Sequence, residues 1–93
     1  MLAQDPKNTF ARYGLAMAHL DGGHADEAIQ QFNTLLENNP DYAAAYFHGG
    51  RALETLGRLD DARALYEKGI EVTTRTGDGH TRSELQAALD ILG

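Results

Sequence analysis

The sequence predicts an all-α chain in which antiparallel helix pairs stack as a short α-solenoid closed by one further helix. The first observation is a period: sliding the chain by 34 residues aligns Ala11 with Ala45, Ala18 with Ala52, Gly23 with Gly57, Asp26 with Asp60, Ala28 with Ala62 and Glu37 with Glu71. Similar residues fill in between, with Tyr13 on Phe47, Phe32 on Tyr66 and Leu36 on Ile70, and Pro6 and Pro40 keep the same spacing. The second is that apolar residues inside each unit recur at helical spacing while glycines and prolines mark its boundaries. The third is a C-terminal segment with one dry and one wet face, which a stack of helices needs where it meets solvent.

Each element has a local cause. A first helix is expected over 8–21, with Arg12, Leu15, Ala16 and His19 on one stripe and Phe10, Tyr13, Met17 and Leu20 on a second; Gly22-Gly23 ends it. A second, over 25–38, has Asp26 and Glu27 in its first turn, where the helix dipole favours acids, and buries Ala25, Ala28, Ile29, Phe32, Leu35 and Leu36. "NNPDY" stops it. The pattern returns over 42–56, ended by Gly57, and over 59–73, with Asp60 and Asp61 in the first turn and Leu59, Ala62, Leu65, Tyr66 and Ile70 on the apolar face. "TRTGDGH" reads as a loop. The last helix is expected to start at the capping box Thr81-x-x-Glu84 and to bury Leu85, Ala88, Leu89 and Leu92, with Arg82, Ser83, Glu84, Gln86 and Asp90 in water.

Composition narrows the function classes. A single domain of 93 residues buries only about 60–65% of its unfolded surface, so help is expected from a partner, a second copy or further sequence. No cysteine is present, "MLAQDPKN" lacks a secretory signal's basic and apolar regions, and no apolar run reaches membrane-span length, so a cytoplasmic setting away from membranes is expected. A net charge of -6 argues against nucleic acid as a partner. His48-Gly49-Gly50 resembles an oxyanion-hole loop, but the only serine, Ser83, sits in "TRSEL" and no Gly-x-Ser-x-Gly elbow exists. His19, His24, His48 and His80 show no metal-ligand spacing, and no glycine-rich phosphate loop occurs. No catalytic residue, metal or cofactor is expected.

The 34-residue period, the paired helices, Gly23 and Gly57 at the turns within units, Ala28-x-x-x-Phe32 and Ala62-x-x-x-Tyr66 in the second helices, and Pro6 and Pro40 between units together resemble the tetratricopeptide repeat. The ending "EKGIEV…GDGHTRSELQAALDIL" is similar to small bacterial proteins of two repeats plus a cap. The resemblance implies a right-handed superhelix with a lead-in over 1–8, repeats over 9–42 and 43–76, and a C-terminal capping helix over 77–93. It places Ala16 and Gly50 at the small position where helices approach closely. Gly49 falls where the family has Leu, which makes Gly49→Leu or Gly49→Ala stabilising if the site has room. Thr74 stands in place of the second repeat's proline, which lets the fourth helix extend.

The resemblance also implies that the first helix of each unit lines a concave groove. The groove residues are then Phe10, Tyr13, Met17, Leu20 and Asp21, followed by Ala44, Phe47, His48, Arg51, Glu54 and Thr55. A Met-and-aromatic stripe suits an adaptable binding surface and is read as groove, the alternative being core covered by a neighbouring repeat or twin subunit. Domains of this family that clamp chaperone C-terminal carboxylates use Lys, Asn and Arg at positions matching Tyr13, Met17, His48, Asp78 and Arg82, where only Arg82 survives, so an apolar or helical peptide is the better ligand. Two functions stay open. One is a non-catalytic module binding a partner protein's peptide or helix in the groove; the other is an assembly unit, self-associating as a homodimer or stacking on further repeats through an uncapped N-terminal face, with "MLAQDP" as the remnant of an earlier helix.

Overall fold

The computed structural model describes residues 6–93, which form five helices: α1 (Pro6–Asp21), α2 (Ala25–Asn38), α3 (Ala43–Thr55), α4 (Leu59–Thr76) and α5 (Gly79–Leu92). Each packs against the next, and α3 also touches α1 on one side and α5 on the other. The odd-numbered helices therefore form one layer and α2 and α4 the other, in a body 17 Å across its thinnest direction, room for two helices about 8–10 Å apart. This is an all-α helical-repeat solenoid. Pro6 stands at the first helical position, where its missing N–H leaves nothing unpaired that would otherwise be bonded. The reading of the first five residues as part of an earlier helix lies outside the described residues.

The turns inside the two pairs are one structure made twice. Gly23 and Gly57 lie at φ +81° and +76°, left-handed conformations that residues with a Cβ rarely adopt. The N–H of His24 donates to the His19 carbonyl at 2.8 Å and that of Gly23 to Leu20 at 3.2 Å; Arg58 donates to Leu53 at 2.9 Å and Gly57 to Glu54 at 2.9 Å. These bonds satisfy carbonyls that a helix end leaves open. Neither His24 nor Arg58 caps the following helix with its side chain, so Asp26, Glu27, Asp60 and Asp61 supply the favourable charge there, and Arg58 clasps Asp61 through Nε and Nη2 at 3.0 and 2.8 Å.

The second pair is held by a reciprocal interlock. The ring of Tyr66 on α4 lies over Gly50 of α3, where a methyl group would stand 2.7 Å from its Cδ1 and Cζ atoms. Conversely, Tyr46 of α3 lies over Gly69 of α4, where a methyl group would meet Tyr46 Cβ at 2.7 Å and Leu85 Cδ1 of α5 at 2.9 Å. Both tyrosines are buried with their hydroxyls satisfied: Tyr46 donates to the Pro40 carbonyl at 2.7 Å, and Tyr66 to the Glu54 carboxylate. Burial, reinforced by that carboxylate, pushes the Tyr66 phenol far above its ordinary range. In the first pair Phe32 takes the place of Tyr66 and shares a core cluster with Ala16, while Arg12 stands where Tyr46 would and reaches Gln31 at 2.9 Å.

Several expectations are corrected. The loop expected over 74–80 shrinks to Gly77-Asp78, because Thr74 gives no proline break and α4 runs on to Thr76. Asp78, not Thr81, caps α5: its carboxylate accepts the Thr81 N–H at 3.1 Å, and hydrogen bonding to Thr81 holds it below the usual carboxylate range. Leu59, expected on the apolar face of α4, is 47% exposed, as befits the first residue of a helix that starts beyond its partner's end. Gly69, Val72 and Thr73 are buried instead, the Thr73 hydroxyl donating back to the Gly69 carbonyl at 2.8 Å. Leu15, grouped by spacing with Ala16, is also 47% exposed.

Gly49 now has an explanation. A methyl group there would sit 2.9 Å from Leu65 Cδ2 and 3.5 Å from Phe32 Cβ, so neighbours occupy the space a leucine would need. Leu65 is only half-buried and can turn its end aside. Gly49→Ala should therefore raise stability by up to about 1 kcal/mol, the helix-propensity gain, in a thermal or denaturant melt. Gly49→Leu should destabilise, and Gly50→Ala, forced against a fully buried ring, should cost about 1–3 kcal/mol.

Candidate functional site

The layer of odd-numbered helices carries two adjoining cavities. One, of about 390 Å³, lies between α1 and α3 and is lined by Met17, Leu20, Asp21, His48, Arg51 and Thr55, with Gly23 and Ala25 at its end. The other, of about 410 Å³, lies between α3 and α5 and is lined by Phe47, Arg51, Glu54, Glu84, Ala87, Ala88 and Ile91. Arg51 is their shared wall. Its guanidinium carbon stands 5.8 Å from the centre of the Phe47 ring, a cation–π distance, which keeps a charged group against an apolar floor.

A row of rings runs beneath these cavities. Tyr42 lies 5.3 Å from Tyr13, Tyr13 lies 6.1 Å from His48 and His48 lies 5.1 Å from Phe47, with Phe32 6.3 Å from Tyr13 on the core side. Tyr13 is thus held on several sides, and burial, with smaller contributions from Tyr42 and Glu84, pushes its phenol up. His48 is the junction. Burial lowers its pKa, opposed by Glu84 of α5 and Asp21 of α1 and seconded by Arg51, so charges from three helices converge on this one imidazole.

Of the residues expected to form the groove, Met17, Leu20, Asp21, His48, Arg51 and Thr55 meet in the first cavity, and Phe47, Arg51 and Glu54 in the second. Tyr13, Met17 and Leu20 also pack against the core from their half-buried positions. Ala44 is half-buried, and Phe10, 71% exposed, lines neither cavity. Glu54 serves twice, lining a cavity and accepting the Tyr66 hydroxyl. Of the positions compared with carboxylate clamps, Asp78 is engaged as a helix cap and Arg82 is exposed.

Sequence reasoning missed the wall supplied by α5: Glu84, Ala87 and Ile91. The signal was Asp78. A cap there starts α5 at Gly79, 36 residues after α3 starts at Ala43, and this 36-residue step carries His48 to Glu84, Arg51 to Ala87 and Thr55 to Ile91. A 34-residue step turns the helix by more than half a revolution and hides them. Among the described residues no helix is long and apolar enough to cross a membrane, and no group of three or more His, Asp or Glu is placed to hold a metal ion.

The site makes a pH prediction. A histidine whose pKa is lower when folded than its unfolded value of 6.5 binds protons less readily in the native state, so its contribution to stability is present above pH 6.5 and is lost as pH falls through the folded value. Stability should therefore decline on acidification in that window, and His48→Gln should flatten the decline. The lowered carboxyls of Asp41 and Asp78 act further down, below their ordinary 3.8. Proton NMR of the imidazoles should show His48 titrating below 6.5.

Comparison with known proteins agrees with this architecture. The family profile for the tetratricopeptide repeat matches residues 13–75. A TPR repeat-containing protein of Pseudomonas aeruginosa is 32% identical over 89 residues, covering 96% of this chain and 85% of that protein. The crystal structure of a tetratricopeptide repeat domain protein from Salinibacter ruber superposes with a TM-score of 0.85 at 42% identity, covering 90% of this chain and 93% of that one. A solution NMR structure of a tetratricopeptide repeat domain protein from the same organism gives a TM-score of 0.87 at 42% identity, over 96% and 90% of the two chains. With the period, the glycine turns and the two-layer stack, these matches establish that this chain belongs to the tetratricopeptide repeat family, whose members generally mediate protein–protein interactions as non-catalytic scaffolds.

Proposed function

We propose that the chain binds a short segment of a partner protein in the groove of α1, α3 and α5. The observation that carries this reading is the α3–α5 cavity, which joins an apolar floor of Phe47, Ala87 and Ala88 to Ile91, 84% exposed, under a rim of Arg51, Glu54 and Glu84. Ile91 continues the apolar lining of Phe47, Ala87 and Ala88, and an apolar patch rimmed by charged residues is the pattern of an interaction site. At about 410 Å³ the cavity takes one large apolar side chain of the partner, the anchor around which a small interface is built.

The rim selects among anchors. Glu54 and Glu84 outnumber Arg51 around this cavity, and Asp21 adds a further acid in the neighbouring one, so a Lys or Arg beside the apolar anchor finds counter-charges while an acidic segment is repelled. The ligand is thus an amphipathic or extended segment with an apolar residue next to a basic one. The experiment is selection from a random peptide library followed by titration of the recovered peptides. Substitution at Phe47 or Ile91 by Ala should weaken binding by roughly tenfold each, the loss typical of an interface anchor. Glu84→Lys should reverse the preference for basic residues. Peptides that bind all three variants as well as wild type would refute the assignment. Tyr13 is avoided as a probe because its packing against Phe32 and Tyr42 ties it to the core.

A further inference from the structure

We propose that His48 competes with the basic residue of the groove's ligand for the same two carboxylates, Asp21 and Glu84, so that seating the ligand expels the His48 proton and acidification releases the ligand. This rests on the groove reading above and adds its regulation.

The position of His48 carries the inference. Its imidazole lines the α1–α3 cavity together with Asp21 and Arg51, and its ring lies 5.1 Å from that of Phe47, the floor of the α3–α5 cavity. One half-buried side chain thus stands at the border of both cavities, within reach of whatever fills them. Charged groups act on it from each helix of the groove: Asp21 of α1, Glu84 of α5 and, a turn along α3, Arg51. The Tyr13 phenol of α1 lies ring to ring with it at 6.1 Å, and Glu84 acts on that phenol as well, so the carboxylate is within electrostatic reach of both rings.

Among the ionisable side chains lining the two cavities, Asp21, His48, Arg51, Glu54 and Glu84, only the histidine changes charge near neutral pH. With His48 neutral, three carboxylates face one guanidinium, and this acidic excess is what draws a lysine or arginine; protonation of His48 cancels part of it. A ligand cation seated beside Asp21 or Glu84 and an imidazolium between them repel at close range, so each excludes the other. The coupling is reciprocal: a ligand that disfavours the His48 proton binds less tightly once that proton is on.

The direction follows. Burial already holds His48 below 6.5 in the free protein, and the bound cation pushes it further down. Affinity is therefore full above pH 6.5 and is lost as pH falls through the free protein's value. Glu84 has a second histidine on its own helix, His80, with Nε2 3.6 Å from the carboxylate, but that imidazole is exposed and lines neither cavity, so water screens its charge from the ligand.

The test begins in the free protein. Proton NMR should show the His48 titration moving further down in Asp21→Asn and in Glu84→Gln, because each removes a carboxylate that supports the imidazolium. The binding probe is a blocked peptide recovered from the library selection, with one lysine beside its apolar anchor and no histidine, acid or cysteine, next to the same peptide carrying glutamine for lysine. Over the range in which circular dichroism stays constant, the lysine peptide should lose affinity by roughly fivefold between about pH 7.5 and 5.5, and the glutamine peptide should lose little. His48→Gln should make the lysine peptide's affinity flat with pH, and His80→Gln should leave the decline in place. An unmoved His48 titration in either carboxylate variant, a decline that survives His48→Gln, or equal declines for the two peptides would each overturn the proposal while leaving the groove a binding site. Binding that Phe47→Ala and Ile91→Ala leave unchanged would instead refute the groove reading, and this proposal with it.

Discussion

Two tyrosines seated on two glycines set the rest of this structure. Tyr66 over Gly50 and Tyr46 over Gly69 bring α3 and α4 close along their length, and each ring occupies volume that any side chain on the facing glycine would claim. Helix-interior glycines each give up about 0.8–1 kcal/mol of propensity, and burial of a whole aromatic ring returns more than that. The hydroxyls extend the lock outward. Tyr46 fastens the turn between α2 and α3 through the Pro40 carbonyl, and the same turn is tied to the end of α4 by the Asp41–Arg75 ion pair. Tyr66 fixes Glu54 at the edge of the groove. Leu85 of α5 shares the hollow at Gly69, so the third wall of the groove takes its position from the same contact.

The two helix pairs differ in how far their first helix is covered. In the second pair both sides of α3 are covered, by α2 and α4, and its remaining side faces the groove between α1 and α5. In the first pair, among the described residues, α1 is packed by α2 and touched by α3. Its apolar residues therefore divide three ways: Ala16 into the core, Met17 and Leu20 into the groove cavity, and Leu15 into water. A helix with apolar residues all round is a sign of more than one neighbour.

Much of this was legible in the sequence. Helical spacing located all five helices to within a few residues, and the paired glycines marked both intra-pair turns because their positive φ permits that chain reversal. The buried faces of α2 and α5 were legible for the same reason. What escaped were features set by contacts between elements. Gly49 looked anomalous because the sequence does not show that Phe32 and Leu65 converge on it. Gly69 and Thr73 were not among the residues expected on the buried face of α4, since the closeness at Gly69 comes from Tyr46 and Leu85 arriving from other helices. The α5 wall of the groove was lost because the 34-residue period was carried on past α4, two residues short of the 36-residue step that the Asp78 cap sets.

The interlock stands on Gly50 being required by the Tyr66 ring, whose atoms are the nearest to any Cβ placed there. A double-mutant cycle combining Gly50→Ala with Tyr66→Leu, read by equilibrium denaturant unfolding, tests it directly. The methyl group at position 50 should destabilise the protein when Tyr66 is present and become neutral or stabilising when the ring is gone, a coupling of about 1–3 kcal/mol. Equal losses from Gly50→Ala in both backgrounds would show that the glycine answers to some other constraint, and the interlock would not be what holds α3 against α4.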